Sequence, residues 1–251
     1  MLINQIMKTN FFTLIVIIVS LCSCKKDNSS DTLNIGLVAY YPFNGNANDE
    51  SGHGNNGIVF GATLTTDRFG IPNKAYLLNG IDNYIKVQSP IGLNNPNFSY
   101  SIWLKILQLP PSNTCNFLME LGYPYMESIA LAINNNYPLN NQTTGWSANS
   151  PTMSNSGINF QTGNLPDINV WYNILIVKND TSVCIFENNN LLKQVMTNGA
   201  NTYYTSPIDL YFGARALLWP NFFFNGVIDD IRIYNRALTG IEIKELQNLK
   251  Q

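Results

Sequence analysis

The chain has 251 residues, 45% hydrophobic and only 12% charged, a length that holds one or two domains and that sandwich folds often fill singly. Fourteen basic against sixteen acidic residues leave a net charge of −2, so there is no basic surplus to hold nucleic acid, and the single histidine, His53, argues against histidine-based catalysis or a multi-histidine metal site. Polarity comes instead from 38 asparagines, with 17 glycines and 12 prolines beside them, the turn residues of a chain built from many short strands.

Residues 1–23 read as a lipoprotein signal peptide. Phe11–Leu21 (FFTLIVIIVSL) is an apolar run after a lysine-bearing, acid-free start. It is shorter than the roughly twenty residues that span a bilayer and matches a signal-peptide core. It ends in Leu21-Cys22-Ser23-Cys24, which resembles a bacterial lipobox with Cys24 as the lipidated N-terminus. Ser23 is the small residue required before it, whereas Cys22 follows bulky Leu21. An ordinary secretory signal with an incidental cysteine is the alternative. Acyl chains on Cys24 make the membrane a partner, since each buried CH₂ is worth ~0.8 kcal/mol. Residues 24–36 then read as a polar tether. Its Lys25, Lys26 and Asp27 resemble the export tags of surface-displayed lipoproteins, which gives an expected location at the outer membrane of the cell envelope, facing outward, with a periplasmic face as the alternative.

From residue 37 to 251 short β-branched and aromatic runs alternate with turn signals. Strands are predicted at Leu37–Phe43, Gly57–Thr63, Tyr84–Val87, Phe98–Leu107, Asn116–Leu121, Ser128–Ile133, Trp171–Lys178, Val183–Glu187, Leu191–Met196, Leu210–Ala214 and Gly226–Tyr234. The tight connections after Trp171–Lys178 predict a three-strand meander. Asn134–Asn164 reads as long loops within the domain. Only the end is helical: Thr239 and Glu242 have the capping-box spacing, with Ile243 and Leu246 on the apolar face and Leu238 packing beneath. Cys115 and Cys184 either bridge, as an exported compartment permits, or remain buried thiols. Trp103 and Trp171 sit inside strand patterns and read as core. In Gly226–Tyr234 strict alternation sends the adjacent Asp229 and Asp230 to opposite faces.

Four segments, in order, resemble the laminin G-like members of the concanavalin A-like lectin/glucanase superfamily. They are Leu37–Gly57 (LVAYYPFNGNANDESGHGNNG), Ala75–Val87 (AYLLNGIDNYIKV), Phe98–Lys105 (FSYSIWLK) and Gly226–Leu238 (GVIDDIRIYNRAL). The resemblance implies an all-β, antiparallel two-sheet jelly-roll sandwich with a short C-terminal helix. It also implies a structural calcium ion held by Asp49, Asn55 and the Gly52 carbonyl, with Asp229 reaching in from the closing strand. The alternative for that loop is a metal-free Asx turn in which Asp49 caps backbone amides.

Glucanases of this superfamily carry paired carboxylates on one strand, and retaining hydrolysis needs such a pair about 5–5.5 Å apart. No alternating acidic pair, nucleophile elbow, zinc motif or phosphate loop occurs in this sequence. The aromatic run Trp219-Pro220-Asn221-Phe222-Phe223-Phe224, with Tyr203-Tyr204 upstream, offers a candidate platform for a sugar ring or a peptide. Trp219, Phe223 and Tyr204 are its candidate ligand contacts, and at least one of Phe222 and Phe224 belongs to the core. The expected function is a lipid-anchored, non-catalytic envelope module that binds carbohydrate or a surface protein. A glycoside hydrolase or a structural adhesion protein is the alternative.

Overall fold

The computed structural model describes residues 32–93, 95–122, 129–135, 144–150, 158–196, 208–216 and 220–249. Its strands form two antiparallel sheets stacked as a jelly-roll sandwich. One sheet runs β13 (Asn190–Met196), β12 (Ser182–Glu187), β11 (Trp171–Lys178), β6 (Phe98–Gln108), β15 (Asn225–Tyr234), β4 (Ala75–Asn79), β3 (Thr63–Thr65), with β1 (Leu37–Tyr41) also on β15. The other runs β10 (Ile158–Gln161), β9 (Gly145–Ser150), β8 (Ile129–Asn135), β7 (Thr114–Gly122), β14 (Asp209–Phe212), β5 (Tyr84–Val87), β2 (Gly57–Phe60). The predicted meander is β11-β12-β13. The segment read as long loops carries β9 and β10 instead, and Ala75–Asn79 is a separate strand.

Period-two patterning decides which residues meet between the sheets. Tyr100, Ile102, Leu104 and Ile106 of β6 and Ile174 and Ile176 of β11 enter the core with Leu118, Leu121, Leu210 and Phe212 from the facing sheet. The intervening residues of β6 and β11 point outward. Helix α1 (Gly240–Gln247) covers part of that outer face. Its Ile243 and Leu246 pack with Leu238 on Leu175 and Val177 of β11 and Tyr234 of β15. The capping box is present as expected, with Thr239 and Glu242 bonded reciprocally. Arg236 clamps Glu242 at 2.6 Å.

The folded body starts earlier than residue 37. Leu33 is 1% exposed in the helix cluster, the Thr32 hydroxyl donates to Glu245 at 3.1 Å, and Arg236 donates to the Thr32 and Ile35 carbonyls at 3.1 and 2.7 Å. The last residues assigned to the tether are therefore structural. The signal peptide and Cys24 lie outside the described residues. No helix among the described residues is long and apolar enough to cross a membrane. Cys115 and Cys184 are free thiols on strands of different sheets, which settles the sequence alternatives against a bridge.

Candidate functional site: an aromatic cleft on the outer sheet face

Strand β15 pairs with β6 along its whole length but changes partner on its other side, from β4 at Asn225–Ile228 to β1 at Ile231–Tyr234. At the change the register slips: Asp229 faces Trp103 and Arg232 faces Ser101, so β15 carries one residue more than β6. Asp230 takes a positive φ of 39° there, and the result is a β-bulge. It overturns the strict alternation expected of this strand. Ile228, Ile231 and Ile233 all enter the core, and Asp229 and Asp230, rather than facing opposite ways, converge on one guanidinium. Arg68 meets Asp229 at 2.6 Å and Asp230 at 2.9 Å. Arg232 holds the second oxygen of Asp230 at 2.8 Å and lies 4.0 Å above the Tyr40 ring.

Arg68 reaches the bulge from the β3–β4 loop. Its neighbour Asp67 fixes that loop by accepting the amides of Phe69 and Ile71 at 2.8 and 2.7 Å. The Arg68 guanidinium is then sandwiched between aromatic faces, 4.4 Å from the Phe69 ring centre and 4.7 Å from that of Trp103. Asp229 is fully buried. Desolvation outweighs the pull of Arg68 and lifts its carboxyl to about 6.

Trp103 and Trp171 are half-buried on the outer face, not core residues as expected from their strand patterns. In the β6–β11 register Trp103 stands opposite Asn173 and Trp171 opposite Lys105, a diagonal placement within reach of indole rings. Helix α1 shields Leu175 and Val177 further along β11 but stops short of Trp171. Between its end and the two indoles lies a cleft of about 370 Å³, lined by Arg68, Phe69, Trp103, Trp171, Gln247, Asn248 and Leu249. The Gln247 Oε1 in this lining is buried and has no hydrogen-bond partner. Among the described residues no carboxylate side chain lines the cleft, and its guanidinium, that of Arg68, is neutralised from behind. The arrangement offers aromatic surface flanked by the amide side chains of Gln247 and Asn248.

The laminin G family model of the concanavalin A-like lectin/glucanases superfamily matches residues 79–244. The chain belongs to this superfamily. No curated protein matches it in sequence. Among solved structures, domain 4 of AbnA, a GH43 extracellular arabinanase from Geobacillus stearothermophilus, in complex with arabinotriose, superposes with a TM-score of 0.66 at 20% identity, over 84% of this chain and 98% of that one. The binding domain of Paraclostridial Mosquitocidal Protein 1 gives 0.69 at 19% identity, over 86% and 52%. The binding domain of Botulinum neurotoxin DC, in complex with SialylT, gives 0.64 at 18% identity, over 86% and 51%. The chain thus spans about half the length of the two toxin domains. At these identities the likeness is one of fold.

The superfamily resemblance led to an expected calcium ion, and the residues present do not fit one. Asp49 Oδ1 accepts the amides of Tyr40 and Ser51 at 2.9 and 2.8 Å, and Oδ2 accepts that of Asn55 at 3.0 Å. Amide hydrogens aimed at both oxygens put positive ends where a cation would sit. Asn55 uses its whole side chain elsewhere, donating to the carbonyls of Val38 and Ile91 and accepting the Ile91 amide. Gly52 turns the loop at a φ of 90°. Asp229 is engaged by Arg68 and is not a fourth ligand of this loop. Among the described residues no group of three or more His, Cys, Asp or Glu could hold a metal. An Asx turn, with the Ser51 amide on Asp49 Oδ1, is present in the loop.

The aromatic loop is placed differently as well. Phe223 is buried beside Tyr84, and its carbonyl accepts the Asn116 amide at 2.6 Å, so it is no platform. Phe224 enters the core, as one of the two was expected to, and Phe222 packs on Cys115, Phe117, Ala130 and Ala132. Trp219 and Tyr204 lie outside the described residues. A second hollow, of about 270 Å³, is lined by Trp146, Tyr172, Asp167 and Glu187 among others. Its indole is 2% exposed and donates to Glu187 at 2.5 Å, which leaves little ring surface for a ligand.

Proposed function

We propose that the chain is a non-catalytic carbohydrate-binding module, held at the bacterial cell envelope by a lipid on Cys24, with its sugar seated between Trp103 and Trp171. One observation carries this reading. Two half-exposed indoles on one sheet flank a cleft whose described lining has amides but no carboxylate side chain. Sugar rings present apolar C–H faces and a rim of hydroxyls, and aromatic faces with amide groups match both. A neighbouring fold carrying arabinotriose supports the ligand class. Hydrolysis would require a carboxylate pair, and the described residues of the cleft lining include none.

The test is titration of the full chain with a panel of oligosaccharides, arabinotriose included, followed by the same titrations on Trp171→Ala. The expected loss is about tenfold in affinity, because stacking on the ring is worth ~0.5–1.5 kcal/mol beyond the area it buries. Trp171 is outward-facing, so the melting temperature should move little. Unchanged affinity would move the site elsewhere. For the anchor, Cys24→Ala should abolish acyl labelling and leave unprocessed precursor, whereas Cys22→Ala should leave labelling intact.

A further inference from the structure

The charges around the cleft do not cancel. Arg68 and Arg232 are matched by Asp229 and Asp230. Lys105 remains. It stands opposite Trp171 on β6, half-exposed, with its ammonium 5.2 Å from the Trp171 ring centre. No salt bridge joins it to a carboxylate among the described residues, although the chain as a whole is net negative. Its neighbours on the outer face include Trp103, Val227 and Asn173, and the one acid diagonal to it, Asp229, is already taken up by Arg68. An ammonium beside one face of an indole that lines the cleft supplies a positive field next to a ring stacked on that indole.

We propose that the cleft selects acidic sugars, a uronic acid residue stacking on Trp171 with its carboxylate paired to Lys105. This rests on the carbohydrate reading of the same cleft and adds the charge of the ligand. The hydroxyls of such a residue would meet the amide side chains of Gln247 and Asn248 in the cleft lining, while its carboxylate requires a cation that no nearby acid already pairs. Lys105 meets both conditions. A neutral sugar would use the indoles and amides equally well but would leave the ammonium without a counter-charge.

The experiment compares trigalacturonate with its fully methyl-esterified form, which keeps the shape and removes the charge, on the full chain. The free acid should bind about fivefold tighter at low salt, the size of one partly exposed ion pair, and the advantage should shrink as salt rises. Lys105→Gln should erase the difference between acid and ester, whereas Lys105→Arg should retain it. Both substitutions are on an outward position, and a melting curve of each confirms that the fold persists. Equal binding of acid and ester by the wild type overturns acidic selection and leaves a neutral-sugar module standing. Acid preference that survives Lys105→Gln also overturns it, by assigning the charge contact to another residue. If neither probe binds, and no oligosaccharide of the wider panel does, the carbohydrate reading falls together with this one.

Discussion

Arg68→Met should cost about 3–5 kcal/mol of folding stability, the usual consequence of removing one partner from a buried ion pair. Arg68 is 4% exposed in its side chain, and its partners Asp229 and Asp230 are 0% and 2% exposed. Methionine fills much of the same volume between Phe69 and Trp103, so the loss measures charge rather than cavity. Arg232 would be left to serve two buried carboxylates. The effect should depend on pH with a defined sign. The Asp229 carboxyl is already lifted by desolvation to about 6, with Arg68 the largest influence opposing the rise, so without Arg68 it rises further. A carboxyl whose folded pKa lies above its unfolded value binds more protons in the folded state. Stability is then greatest below about 3.9, the unfolded value, and falls as pH climbs through the folded value. The variant should therefore be closest to wild type near pH 4 and weakest near pH 8 in denaturant unfolding. Combining Arg68→Met with Asp229→Asn should recover part of the loss at pH 8, because the amide needs no counter-charge. A pH-independent loss below about 1 kcal/mol would mean that solvent already screens the pair.

The same bulge shows what the sequence could and could not disclose. Trp171–Lys178 was readable to the residue because its apolar positions recur without interruption. Gly226–Tyr234 was readable as a strand but not in its facing, because one extra residue at Asp229-Asp230 reverses the parity of everything after it. Trp171 was misplaced for a related reason. The outer face of β11 is itself apolar where α1 lies on Leu175 and Val177, so a strand covered on both sides gives no polar alternation by which to separate inside from outside. For Trp103 the signal available was Lys105, two positions from it and on its side of the pleat: an outward lysine implies an outward tryptophan. Strands β9 and β10 were lost in a segment rich in Asn, Ser and Thr, where turn residues mask the ladder. Phe222, Phe223 and Phe224 are consecutive, and only the register of β7 and β14 decides which of them reaches the core. Asn55 was legible as a residue with a task, but its partner Ile91 lies 36 positions away.

That distant partnership makes Asn55 the second site of large expected effect. Asn55 is 3% exposed. Its amide donates to Val38 at 2.8 Å and to the Ile91 carbonyl at 3.0 Å, and its oxygen accepts the Ile91 amide at 2.7 Å. Its backbone carbonyl takes the Tyr41 hydroxyl at 2.6 Å. One side chain thus ties the loop after β1 to that strand and to the segment after β5. Asn55→Ala leaves the Val38 carbonyl without its partner in a buried setting and frees the carbonyl and amide of Ile91, which is itself exposed and can turn to water; each unsatisfied buried group costs about 1–3 kcal/mol. A loss on the order of 3 kcal/mol is expected by denaturant unfolding. Asn55→Asp separates a clamp from a metal ligand. As a clamp, aspartate still accepts from Ile91 but cannot donate to either carbonyl, and it places a negative charge against their oxygens. It should destabilise at least as much as alanine, with no rescue by calcium. As a metal ligand, aspartate would strengthen the site, and calcium would restore the melting temperature. The amide hydrogens converging on Asp49 favour the first outcome. They also predict that calcium and chelator leave the wild-type melting curve in the same place, and a rise with calcium would show that the loop rearranges around an ion its present donors exclude.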